Sequence, residues 1–136
     1  MKVLVTGTTG MLGSAVVRDL KRFNLFYDVI ESGPSSDRDL TDLDTAIDFV
    51  NTEKPDVIIH LAAVTSLNEC KKNPDKANTL HADLTKILAS SCKRMIYVST
   101  DSVFDGVAST PYGETSDANP VNVYAKSKLI GEAAAI

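Results

Sequence analysis

Apolar residues fall along this chain in two rhythms. Short runs at Lys2–Val5, Tyr27–Ile30, Asp56–Leu61 and Met95–Val98 are continuous and rich in β-branched side chains, as expected for strands covered on both faces. Between them the apolar spacing widens to three and four residues. Leu12, Ala15, Val16 and Leu20 form one such series, Leu43, Ala46, Ile47 and Val50 a second, and Ala77, Leu80, Leu84, Ile87 and Leu88 a third. These predict amphipathic helices from about Met11 to Lys21, from Leu43 to just before Lys54-Pro55, and onward from Asn73-Pro74. Thr41 and Asp44 give the second helix a capping-box-like start. Asn73 and Pro74 read as N-cap and first helical position. The second strand ends at Glu31, before the turn-rich Ser32-Gly33-Pro34-Ser35-Ser36. A short further strand is expected near Arg38-Asp39-Leu40, and a last helix from Tyr124 to about Ala135.

Strands alternating with helices imply right-handed crossovers and an α/β doubly wound parallel sheet, Rossmann-like, with strand order 3-2-1-4-5. In such a sheet ligands bind at the carboxyl ends of the strands flanking the point where the order reverses. The turn after the first strand, Ala62-Ala63-Val64 and Ser99-Thr100 should therefore meet in one crevice.

The turn after the first strand reads Thr6-Gly7-Thr8-Thr9-Gly10-Met11-Leu12-Gly13. A strand, a glycine-rich turn and a helix in that order make a phosphate cradle. Gly7 permits the tight turn, Gly10 lets the backbone approach a pyrophosphate, and Gly13 lets the helix pack close. The helix start offers its free N–H groups to the anion. The spacing is G-x-x-G-x-x-G, a variant of the commoner dinucleotide fingerprint.

Composition narrows the partners. A length of 136 residues reads as one domain, and a formal charge of −4 offers no basic footprint for nucleic acid. No apolar run approaches the ~20 residues of a bilayer span, and no charged-then-apolar leader precedes Met1-Lys2-Val3. Cys70 and Cys92 stand apart and read as reduced thiols, which suits a cytoplasmic protein. His60 ends a buried strand and reads as a satisfied core histidine. His81 has no partner at ligand spacing, so no metal is expected. Lys71-Lys72 and Lys93-Arg94 read as solvated turns.

A second constellation is Tyr124-Ala125-Lys126-Ser127-Lys128. On a helix Tyr124 and Lys128 are i and i+4 neighbours, so a phenol and an ammonium share one face. A neighbouring cation favours a phenolate and brings a phenol toward acid–base duty near neutral pH. Thr100, beyond the Met95–Val98 strand, adds a hydroxyl that could bond a substrate carbonyl. With a cofactor crevice, these groups suit hydride transfer to a ketone.

On these residues the chain resembles the extended short-chain dehydrogenases/reductases, and within them the dTDP-4-dehydrorhamnose reductase branch. The resemblance lies in Val5–Gly13, in Lys54–Ala63, in Val98-Ser99-Thr100-Asp101-Ser102-Val103-Phe104-Asp105-Gly106 with Pro111–Glu114, and in Asn119–Glu132. It implies an NAD(P)H-dependent reductase of a nucleotide-linked 4-keto deoxysugar, with NADP(H) or NAD(H) as cofactor. Tyr124 would be the proton donor to the keto oxygen. Lys128 would favour its phenolate and hold the nicotinamide ribose, and Thr100 would orient the carbonyl. Gly7, Thr9, Gly10, Met11 and Leu12 would cradle the cofactor, Asp39 and Leu40 would contact its adenine, and Ala62 and Ala63 would line its channel.

Members of that family continue for roughly as many residues again, into further strands and a lobe that binds the sugar nucleotide. Residues 1–136 correspond to the NAD(P)-binding part, so at most weak turnover is expected of this chain alone. Uncovered strand surface then predicts association, a homodimer included. The chain departs from the family pattern at Ser102, usually Tyr, at Val64, usually aromatic or His, and at His81, usually Asn. Thr100-Asp101-Ser102 differs from the Thr-Asp-Glu of the 4,6-dehydratases. Two other readings stand beside the reductase: a nucleotide-sugar epimerase, and a non-catalytic binding subunit like the regulatory subunit of methionine adenosyltransferase. Glu31 favours a free ribose 2′-OH and hence NAD, whereas a nearby Arg would suit a 2′-phosphate; Arg38 and Ser35 lie close enough in sequence that cofactor preference stays open at this point.

Overall fold

The computed structural model describes all residues 1–136. Four parallel strands form one sheet: β1 (Lys2–Thr6), β2 (Asp28–Glu31), β3 (Val57–His60) and β4 (Arg94–Tyr97), in the order β2-β1-β3-β4. In register, Val3 faces Val29 on one side and Val57 on the other, and Ile59 faces Ile96. The expected order holds for these four. The strand expected at Arg38–Leu40 is absent, because Pro34, Ser35 and Ser36 keep that stretch in turns. Leu40 instead drops into the core as a single apolar plug.

Helix α1 (Met11–Lys21) covers one face of the sheet, where Val3, Val5 and Val17 pack together. The other face carries α2 (Leu43–Glu53) and a longer helical run, burying Leu4, Ile58, Ala46, Phe49, Val50, Leu84 and Leu88. Removing both faces of β1 and β3 from water is what their continuous apolar runs predict. The N-cap of α2 is Asp42, one residue past the expected Thr41, and its carboxylate accepts from the Asp44 and Thr45 amides. Lys54 closes α2 in a left-handed conformation at φ 50°, after which Pro55 prevents continuation.

The helix expected from Pro74 is not regular. It runs as α4 (Pro74–Asn78), a widened π turn over Thr79–Asp83, and α5 (Leu84–Ser90). Pro74 takes the first position, whereas the Asn73 side chain does not cap the helix and bonds Glu69 instead. A short α3 (Leu67–Lys72) precedes it, capped by Ser66, whose hydroxyl accepts from the Glu69 amide. Helix α6 (Val123–Ala135) closes the chain and packs on the π turn and on α5. That contact needs Gly131, since a Cβ there would collide with the His81 carbonyl and the Tyr97 hydroxyl.

Candidate functional site

Thr6 ends β1, and its hydroxyl accepts from the amides of Leu61 and Ala62, both at 3.1 Å. Its own proton goes to His60 Nδ1 at 2.7 Å, so the ring carries hydrogen on Nε2, which donates to the Leu80 carbonyl. His60 is thus a satisfied core histidine, as its place at the end of an apolar strand suggests. Gly7 follows at φ +68°, and a Cβ there would lie 2.7 Å from Ala62 N. Only glycine meets both demands. A Cβ at Gly13 would strike the Gly7 carbonyl, so α1 starts flush against the turn. Gly10 caps α1 without a side-chain bond, and the first helical turn carries no acidic residue. Its N–H groups are left for an anion.

These residues open onto a cleft of about 700 Å³ at the carboxyl ends of β1, β3 and β4. Gly7, Thr9, Gly10, Met11, Leu12, Asp39, Leu40, Ala62, Ala63, Tyr124 and Lys128, all expected at the site, line this single cleft. Two expected residues do not. Glu31 is turned aside and pairs with Lys21 at 2.6 Å. Thr100 lies one residue past the cleft wall formed by Val98 and Ser99; its hydroxyl accepts from the Ser102 amide and donates to Asp101.

Lys128 is buried, yet it has no carboxylate within ion-pairing distance. Its Nζ donates to the Val98 carbonyl at 2.6 Å and sits 3.9 Å above the Tyr97 ring. Burial pulls its pKa down to about 8, partly offset by the Glu132 carboxylate. Glu132 in turn takes a hydrogen bond from Ser99.

The Tyr124 ring meets the edge of His81, with centroids 5.7 Å apart and planes at 84°. His81 Nε2 accepts from the Val64 amide at 2.9 Å, which places the ring proton on Nδ1, where it bonds Ser127 Oγ at 2.8 Å. Ser127 passes a bond to the Tyr124 carbonyl at 2.9 Å. Burial, reinforced by the Lys128 charge, holds His81 neutral with a pKa of about 4. The His81 carbonyl, within the π turn, accepts from the hydroxyls of Thr85 and Tyr97.

Sequence reasoning did not foresee this tie between His81 and the Tyr124 helix, since nothing in the spacing marks the π turn. It also passed over Lys76, which lines the cleft, whereas Ser99 was expected in the crevice and lines it.

A doubly wound sheet, a glycine turn against a helix start and a cleft at the switch point together define a Rossmann-type nucleotide-binding unit. The model of the RmlD substrate binding domain matches residues 1–136, and the chain belongs to that family. The chain is 35% identical to a dTDP-4-dehydrorhamnose reductase of Burkholderia thailandensis, over 98% of this chain and 45% of that protein. It is 38% identical to methionine adenosyltransferase 2 subunit beta of Danio rerio, over 96% of this chain and 42% of that one. Among solved structures, a dTDP-4-dehydrorhamnose reductase of Clostridium acetobutylicum superposes with a TM-score of 0.89 at 37% identity, over 99% of this chain and 49% of that chain. One from Bacillus anthracis, solved in complex with NADP, gives 0.86 at 29% identity, over 98% and 48%. The chain therefore spans less than half the length of the curated relatives it matches.

Proposed function

We propose that this chain is the cofactor-binding part of an NAD(P)H-dependent reductase of a nucleotide-activated 4-keto deoxysugar. The observation that carries the reading is one cleft lined at once by the glycine turn, Ala62-Ala63, Tyr124 and Lys128. A cradle that Cβ atoms at Gly7 and Gly13 would fill is suited to a pyrophosphate. A bound reduced nicotinamide supplies hydride to the keto carbon. The Tyr124 hydroxyl gives the proton to the keto oxygen, and the buried Lys128 places a cation on the same helix face. Thr100 is assigned to the carbonyl from the family resemblance, beside the wall that Val98 and Ser99 build. His81 and Ser127 hold the helix turn that carries Tyr124.

A second reading, a non-catalytic cofactor-binding subunit, is favoured by the relation to methionine adenosyltransferase 2 subunit beta. An intact Tyr124–Lys128 pair argues for catalysis, because a scaffold has no use for it.

Fluorescence titration of this chain with NADPH and NADH tests the cleft, and saturable binding of either is expected. In the longer protein that carries the segment, Tyr124→Phe should keep cofactor binding and lose turnover of a dTDP-4-keto sugar. Unchanged turnover would remove Tyr124 as the proton donor, absence of turnover in the unsubstituted longer protein would favour the binding-subunit reading, and no nucleotide binding by folded protein would remove both.

A further inference from the structure

We infer that Glu132, fixed by Ser99, is a positioning residue for Lys128: its carboxylate is the counter-charge that keeps the buried ammonium a cation beside Tyr124 at neutral pH. Its part in turnover rests on the reductase reading above, whereas the coupling of the two charges is measurable without it.

Three consecutive residues at the end of β4 grip one side of α6. The Tyr97 hydroxyl lies 3.2 Å from the His81 carbonyl and 3.4 Å from the carbonyl of Lys128, and the Tyr97 ring lies 3.9 Å from Nζ. The Val98 carbonyl accepts from Nζ at 2.6 Å. The Ser99 hydroxyl donates to Glu132 Oε1, one helical turn beyond Lys128. The strand end thus fixes ammonium and carboxylate on one helix face, with Tyr124 one turn before them.

A carbonyl and a ring face carry no full charge, and alone they replace water poorly around a cation. Glu132 makes no direct ion pair with Lys128. It acts across the partly buried space between them, where charges are screened less than in water. A carboxylate in contact would take up the ammonium's donors and draw it out of the cleft that Lys128 lines. Held one turn away by Ser99, it favours the charged form and leaves those donors free.

No other group near Lys128 can do this. Tyr97 and Tyr124 are phenols, with burial pushing Tyr97 above its usual range. His60 and His81 are held neutral by burial, and the Lys76 ammonium on the cleft wall has the wrong sign. Among the carboxylates on helices and turns packed against α6, Asp75, Asp83 and Asp101 are exposed, and Glu69 takes its bond from Asn73. Burial lowers Lys128 to about 8, and Glu132 is the group that opposes the fall.

The test is an NMR titration, without nucleotide, of the chain labelled with carbon-13 at lysine Cε, the Lys128 signal being the one that Lys128→Met removes. Its midpoint should lie at about 8. Glu132→Gln, close in shape and still able to accept from Ser99, should lower that midpoint by about 0.5 to 1 pH unit. Ser99→Ala, which releases the carboxylate, should lower it by less. A midpoint that Glu132→Gln leaves in place or raises would overturn the inference. If Glu132→Gln does not fold, Ser99→Ala decides, and an unchanged midpoint there overturns it. In the longer protein, Glu132→Gln should cost about two- to five-fold more turnover of a dTDP-4-keto sugar at pH 8 than at pH 6. Equal loss at both pH values would mark Glu132 as a packing residue and overturn its part in turnover. A shifted midpoint in a protein that turns over no keto sugar would remove the reductase reading and leave the charge coupling standing.

Discussion

Lys128 Nζ reaches across from α6 to the carbonyl oxygen of Val98, 2.6 Å away at the end of β4. One hydrogen bond and a face of Tyr97 replace the water this ammonium would otherwise hold, and the replacement is incomplete. Its pKa of about 8 lies below the ordinary lysine value of 10.5. The unfolded chain therefore binds more protons between those limits, and stability rises with pH across that window. At neutral pH the buried charge costs stability. Lys128→Met is expected to raise the unfolding free energy at pH 7 by about 1–3 kcal/mol while weakening dinucleotide binding. Urea unfolding and a nucleotide titration check the two halves.

Two buried neutral imidazoles set an acid limit. His81 has a pKa of about 4 and His60 of about 3, each lowered from 6.5 chiefly by burial. Each contributes stability that is full above pH 6.5 and is lost as pH falls toward those values, by about 1.4 kcal/mol per pH unit and group. Protonating His81 Nε2 would also set it donor to donor against the Val64 amide. The denaturation midpoint should drop markedly between pH 7 and pH 5, and His81→Asn should flatten that slope.

Gly131→Ala sets helix propensity against packing. Alanine would favour an isolated helix by about 1 kcal/mol. Here its Cβ would strike the His81 carbonyl and the Tyr97 hydroxyl, one of which is backbone. A net loss of about 1–3 kcal/mol is expected in thermal melts. Gly113→Ala, with nothing within 4 Å of the added carbon, should be near neutral.

The loop between β4 and α6 is gathered on Asp105. Its carboxylate accepts from Tyr112 Oη at 2.5 Å, Asn119 Nδ2 at 2.8 Å and the Val107 amide at 3.1 Å. The Tyr112 bond leads in holding its pKa below the usual carboxylate range. Asp105→Ala should unstack Phe104 from Tyr112, whose rings now lie 4.4 Å apart. Faster proteolysis confined to residues 104–119 is the expected outcome.

On the α1 side of the sheet, nothing covers β4. Ile96 and Val98 are 45% and 40% exposed there, and the far edge of β4 pairs with no strand. Exposed apolar surface beside an open edge promotes association. Size-exclusion chromatography should show self-association that grows with concentration, and Ile96→Lys should reduce it.

Much of this was readable because burial on both faces writes a continuous apolar run and a covered helix writes a period near 3.6. Val57-Ile58-Ile59 and the α1 series are plain on those terms. Arg38–Leu40 misled because one apolar residue plugging the core from a loop looks like one in a strand. The capping box Ser66-Leu67-Asn68-Glu69 announced α3 and could have been used. The π turn at Thr79–Asp83 left no trace, since Leu80, Leu84 and Leu88 keep helical spacing through it. At the site, residue type pointed to the cleft set, but which way Glu31 turned depended on Lys21, a contact between elements that no local pattern encodes.

The Thr6 hydroxyl has a last consequence. By taking up the amides of Leu61 and Ala62, it ends the β1–β3 ladder where the crevice begins. It acts as a zipper stop, so one side chain sets both the length of the sheet and the depth of the opening. Valine, nearly the same in shape, would leave two amides and a histidine nitrogen without their partner. Both the end of the strand pairing and the mouth of the cleft would be loosened by that one exchange, so this threonine ties sheet and opening through a single hydroxyl.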